Sequence, residues 1–106
     1  MKLRWSDRAR EDLKEIGRFI ARDNRDSARK WVSRLRRRAT KAAAIPEAGR
    51  MVPEFAKPDL REVLLGNYRI VYQVTGKTVT ILTVFEGHRL LRLTELPRVN
   101  ESDENP

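Results

Sequence analysis

Between residues 29 and 41 the chain places seven cations, Arg29, Lys30, Arg34, Arg36, Arg37, Arg38 and Lys41, and no carboxylate. Clustered guanidinium and ammonium groups attract polyanions and release counterions when they meet phosphate. The plainer alternative for such a run is a solvated helix face. Other chemistry is constrained by what the chain lacks. It has no cysteine and one histidine, His88, which excludes thiol nucleophiles, disulfides, cysteine-rich zinc sites and multi-histidine metal sites. No metal is expected.

The residues that carry these cations need a scaffold, and 106 residues allow one domain with one core. The apolar fraction of 40% and charged fraction of 36% point to a small core under a highly ionic surface. Lys2 to Trp5 alternate and suit a short strand. Ser6 reads as a helix cap, and Ala9, Leu13, Ile16 and Ile20 then form one apolar stripe on a helix over about residues 7–22. Asp23-Asn24-Arg25-Asp26 interrupts the pattern, which resumes at Ala28, Val32, Leu35, Ala39 and Ala42. Two helices joined so closely form an antiparallel hairpin. The cations above lie on the parts of the second helix outside this stripe, with Trp31 beside the stripe as a packing aromatic.

Three prolines and a glycine between Ala44 and Pro58 predict a loop, anchored by Ile45, Met51, Val52 and Phe55. From Leu60 the pattern turns to β, with runs over 60–65, 68–74 and 78–85 separated by short glycine-containing breaks, an antiparallel meander. In the middle run Tyr68, Ile70, Tyr72 and Val74 share one face, so Arg69, Val71 and Gln73 share the other. Residues 1–98 make the domain, and the acidic residues 99–106 are expected to be a disordered tail. The fold class is therefore α+β: a short N-terminal strand and an antiparallel helical hairpin packed on a small antiparallel sheet.

The net charge of +8 is carried unevenly. Residues 1–43 hold 15 Lys+Arg against 6 Asp+Glu, or +9, and residues 44–106 hold 8 against 9, or −1. Such asymmetry points to polyanions or an acidic protein partner. No apolar run approaches the length of a membrane span, and the N-terminus lacks the apolar stretch of a secretion signal, so a soluble cytoplasmic protein without membrane partners is expected.

Five segments, Ala9 to Ile16, Ile20 to Asn24, Ile45 to Glu54, Asp59 to Glu62 and Asn67 to Val74, in this order resemble the RelE/ParE superfamily of toxins from type II toxin–antitoxin modules. The resemblance covers about residues 2–92 and implies two alternative biochemistries on one scaffold. RelE-type members cut messenger RNA on the ribosome, and ParE-type members inhibit DNA gyrase. Neither implies a cofactor.

For a metal-independent ribonuclease, the family pattern implies Arg69 and Arg89 as groups that neutralise a scissile phosphate. It implies His88, with an unperturbed pKa near 6.5, as the proton-transfer group. The pattern is incomplete, because Arg61 is the one base on the preceding strand, Glu62 there would repel phosphate, and Glu95 stands about where a RelE-like tyrosine would fall. A structural role for Arg69 and Arg89, pairing with Glu62 or Glu86, is the alternative. The segment Asp59 to Glu62 beside the Tyr68 to Tyr72 strand looks more like the ParE branch. That branch implies a gyrase poison of the plasmid-stabilisation type, with Arg61, Arg69 and Arg89 on the functional face and an acidic ParD-like antitoxin as partner.

Overall fold

The computed structural model describes residues 1–87 and 96–97. The chain runs β1 (Lys2–Trp5), α1 (Asp7–Ala21), α2 (Arg25–Ala44), a 3-10 turn (Pro46–Ala48), β2 (Arg50–Met51), β3 (Leu60–Leu65), β4 (Tyr68–Thr75) and β5 (Thr78–Glu86). The five strands form one sheet in the order β1-β5-β4-β3-β2. β5, β4, β3 and β2 pair antiparallel, and β1 joins parallel to β5, with Leu3 opposite Val79 and Trp5 opposite Ile81. The N-terminal strand thus closes one edge of a meander formed by the C-terminal half.

Local chemistry sets the helix starts. The Ser6 hydroxyl accepts from the Ala9 N–H at 3.0 Å and donates to the Leu82 carbonyl at 2.8 Å. One side chain therefore caps α1 and ties it to β5. Asn24 caps α2 by accepting from the Ser27 N–H at 3.0 Å. The interruption read at residues 23–26 is therefore shorter than expected, because Arg25 and Asp26 already belong to α2.

Beyond Trp5, side chains of α1 continue the ladder that β1 began. Asp12 accepts from the Val84 N–H at 3.0 Å and from the Thr83 hydroxyl at 2.5 Å, satisfying an edge that β1 is too short to reach. Both hairpins of the meander have two-residue loops with a positive φ at the first position, Gly66 at 57° and Gly76 at 60°. Glycine adopts that conformation without a Cβ penalty, as a type II′ turn requires.

The two faces of the sheet bury different sets. Against the helices lie Val63, Ile70, Tyr72, Val79, Ile81 and Val84, packed on Ala9, Leu13, Leu35, Ala39, Ala42 and Ala43. The alanines of α2 let its backbone approach the sheet closely. On the far face Leu60, Val71, Leu82 and Phe85 are covered by Val52, with Phe55 and Leu96 packing at the margin. A bulge lies opposite Val71 and Tyr72, which pair with Thr83 and Ile81 and leave Leu82 as the extra residue. It shifts the side-chain alternation, so Val79 and Ile81 face the helices before it and Val84 after it. The loop over 45–59 also holds more order than the prolines suggest, with its 3-10 turn and the short pairing of Arg50 with Glu62.

Candidate functional site

The meander brings charged residues together on the face away from the helices. Arg69 of β4 lies opposite Leu64 of β3, so Glu62 is its diagonal neighbour on the same face. Arg69 donates through Nε to Glu62 Oε1 at 2.7 Å, and Nη2 lies 2.6 Å from the same oxygen. Its Nη1 and Nη2 also donate to the two oxygens of Glu54 at 2.8 Å each, a fork-to-fork pair. The second oxygen of Glu62 accepts from Arg50 Nε at 2.6 Å. The Arg69 guanidinium stacks over the Phe85 ring, 5.1 Å from its centroid, as their cross-strand pairing dictates.

These two arginines and two carboxylates balance in charge. The Glu62 side chain is fully buried and that of Arg69 is 6% exposed. The hydrogen bonds to Glu54, reinforced by Glu62, raise the Arg69 pKa against the opposing effect of burial, so the guanidinium stays charged. Its donors face carboxylates held in place by the fold.

The loop that delivers Glu54 is fixed at several further points. The Tyr72 hydroxyl donates to the Pro46 carbonyl at 2.6 Å from a buried position. Arg61 donates through Nη1 to the Gly49 carbonyl at 2.8 Å and through Nε to the Pro58 carbonyl at 3.0 Å. Gly49 lies so close beneath Tyr72 that a Cβ there would stand 2.0 Å from the phenolic oxygen. The Val74 N–H donates to the Asp59 carbonyl at 2.8 Å.

A second cluster lies on α2. Arg34, Arg37, Arg38 and Lys41, with Leu65, line an open groove of about 270 Å³. The Arg34 guanidinium stacks on the Trp31 ring at 4.7 Å, and Trp31 meets Tyr68 edge to face at 5.7 Å. Between α1 and α2 runs a different groove of about 370 Å³, lined by Gly17, Ala28 and Val32 and rimmed by Arg29, Ser33 and Arg36. Among the described residues no group of acidic or histidine side chains could hold a metal ion, and no helix is long and apolar enough to cross a membrane.

The model of the ParE toxin of type II toxin–antitoxin systems matches residues 3–91. The chain belongs to the ParE toxin family. It is 36% identical over 90 residues to a protein of Sinorhizobium fredii named "Putative toxin Y4kP", an alignment that covers 83% of this chain and 90% of the relative. Its fold matches a chain of the chromosomal ParDE toxin–antitoxin system from P. aeruginosa, with a TM-score of 0.68 and 22% identity over 81% of this chain and 95% of the other.

In this ParE-family toxin the residues singled out in the sequence fall in separate places. Arg69 sits in the buried network, Arg61 braces the loop carbonyls, and His88 and Arg89 lie outside the described residues, as do Glu95 and the acidic tail. Of the basic helical positions, Arg29 pairs with Asp26, Arg34, Arg37, Arg38 and Lys41 line the basic groove, and Lys30 is exposed on the same helix. The sequence reading missed Arg50 and Glu54 as members of the Arg69 network and Asp12 as a brace for β5. The charge balance of Arg50, Glu54, Glu62 and Arg69 was the available signal.

Proposed function

We propose that this toxin arrests growth by binding DNA gyrase in the cytoplasm and trapping it on DNA, breaking no covalent bond itself, and that a cognate acidic antitoxin of the ParD type silences it. Membership of the ParE family supports the target. The observation that carries the binding reading is the closure of Arg69 by Glu54 and Glu62. A ribonuclease of the RelE type would need that guanidinium for phosphate, yet its donors are taken by carboxylates whose negative charge would also repel an incoming phosphate.

The groove between α1 and α2 supports the antitoxin reading. Gly17, Ala28 and Val32 give it an apolar floor and Arg29 and Arg36 a cationic rim. An acidic segment that folds into a helix on binding would set apolar anchors on that floor and carboxylates against the rim.

The test is expression without antitoxin, followed by supercoiling and cleavage assays with purified gyrase. Inhibited supercoiling or trapped cleaved DNA, with intact transcripts and with toxicity preserved in His88→Ala, is the expected result. Ribosome-aligned messenger cuts that vanish in His88→Ala would overturn the proposal.

A further inference from the structure

The second helix turns roughly 100° per residue, which places Lys30, Arg34, Arg37, Arg38 and Lys41 within an arc of roughly 100°. The stripe is about 16 Å long at 1.5 Å per residue. The one acid on the helix, Asp26, pairs with Arg29 in the first turn, and no carboxylate occurs between residues 27 and 45. Lys30, Arg34, Arg37 and Lys41 are exposed and Arg38 is half-buried. Arg34 is held by the face of Trp31, and among the described residues no acid pairs with it. Four of the five line one groove together with Leu65 at the end of β3.

We propose that this stripe is a docking surface for the phosphate backbone of duplex DNA. A stiff row of cations with an aromatic-stacked arginine matches a polyanion of regular charge spacing, one charge per about 1.7 Å of duplex axis. An acidic protein is the poorer occupant. Protein interfaces have an apolar core, and the stripe's groove offers Leu65 alone, whereas the apolar groove floored by Ala28 and Val32 lies on the roughly opposite side of α2. Single-stranded nucleic acid also fits less well, because Trp31 is half-buried and covered by Arg34, leaving no open platform for base stacking. Such a contact reads no sequence, since it touches backbone alone.

The DNA contact stands on the stripe by itself. Its use on a gyrase–DNA complex rests on the function proposed above. Together they describe a toxin that holds enzyme and DNA at once, with the antitoxin groove on a separate face.

The experiment measures binding of the full chain to a fluorescent mixed-sequence duplex across a salt series, without gyrase. Wild-type affinity should fall about 10²-fold between 50 and 200 mM salt, with a log–log slope near −4 for four to five neutralised phosphates. The variant Arg34→Gln/Arg37→Gln/Arg38→Gln/Lys41→Gln should flatten that slope by about 3 to 4 and bind at least about 30-fold more weakly at low salt. A second variant, Lys2→Gln/Lys14→Gln/Lys57→Gln/Lys77→Gln, removes the same net charge at exposed positions away from the stripe and should keep wild-type slope to within about 1. Circular dichroism spectra matching that of the wild type are required of both variants before their slopes are compared.

Equal weakening in the two variants would reduce the effect to net charge and overturn the proposal. So would tighter binding to single-stranded RNA than to the duplex, or displacement of the duplex by polyglutamate at lower charge concentration than by unlabelled DNA. Gyrase inhibition is measured on the same preparations. A wild-type protein that binds duplex through the stripe yet leaves gyrase untouched would refute the gyrase reading alone.

Discussion

Glu62 accepts from Arg69 on one carboxylate oxygen, at 2.7 Å, and from Arg50 on the other, at 2.6 Å, from a fully buried position. The pair joins β3 to β4, Arg50 adds β2, and Glu54 extends the network into the loop. Removing one member of a buried pair leaves an uncompensated charge, which typically costs about 3–5 kcal/mol. Arg69→Ala strands Glu62 with the half-exposed Arg50 and should lose stability on that scale in urea unfolding. A triple replacement of Arg69, Glu54 and Glu62 by apolar residues should lose less than Arg69→Ala. A loss below about 1 kcal/mol in Arg69→Ala would show that the network does not hold these strands.

Gly49 and Tyr72 form a second constraint. The Cβ of Gly49→Ala would meet the phenolic oxygen at 2.0 Å and the Glu62 carbonyl at 3.0 Å, so either the loop or the ring must move. Overpacking of this kind costs about 1–3 kcal/mol. Tyr72→Phe loses the hydrogen bond to Pro46, about 1 kcal/mol, and strands a carbonyl. Because Tyr72→Phe removes the nearest clashing atom and leaves only the ring Cζ of that side chain, at 2.9 Å, the double variant should be more stable than the sum of the two losses predicts. Strict additivity in thermal unfolding would contradict the contact.

These relationships also mark what could be read in advance. The Ser6 cap, the α1 stripe and the placement of Arg69 away from Ile70 and Tyr72 follow from periods of a few residues, so they were legible. The parallel docking of β1 was not, because a four-residue strand carries no partner information. The bulge at Leu82 hid for a related reason: one extra residue in a run of β-formers leaves no gap in the pattern. Glu54 and Pro46 meet β4 across 15 and 26 residues of sequence, through a loop whose route is set by packing and not by local preference.

Asp12 tests the brace between α1 and β5. Asp12→Ala leaves the Val84 N–H and the Thr83 hydroxyl without their shared acceptor, for a cost of about 1–3 kcal/mol. Asp12→Asn retains one acceptor oxygen and should cost less. Hydrogen exchange at the Val84 amide should accelerate in Asp12→Ala before the amides of Ile70 and Val71 change, since the opening is local.

The alkaline limit of stability follows from the chain's two tyrosines. Burial raises the pKa of Tyr72, and burial together with nearby Glu86 raises that of Tyr68, both from 10.0. A group whose folded pKa lies above its unfolded value contributes stability that is fully present below the unfolded pKa and fades as pH rises through the folded one. Urea midpoints should therefore hold up to about pH 10 and fall beyond it, with tyrosinate absorbance appearing above the ordinary range. Tyr72→Phe should blunt the fall. An absorbance titration centred on the ordinary tyrosine value would remove the basis for this prediction.

The apolar groove between α1 and α2 yields the sharpest genetic test of antitoxin docking. Ser33 is exposed at its rim, and Val32 lies on its floor against Gly17, where a Cβ would already come within 3.3 Å of the valine methyl. Ser33→Glu adds a negative charge beside Arg29 and Arg36, where an acidic antitoxin segment would need them. An exposed substitution of this kind shifts stability by only about 0.5 kcal/mol. Growth arrest should persist, while antitoxin affinity drops about tenfold or more and co-expressed antitoxin no longer rescues growth. Val32→Glu should act in the same direction with a larger loss of affinity, at some cost in melting temperature. Full rescue of both variants by the antitoxin would move the docking site off this groove, leaving the toxin's own target face untouched by the result.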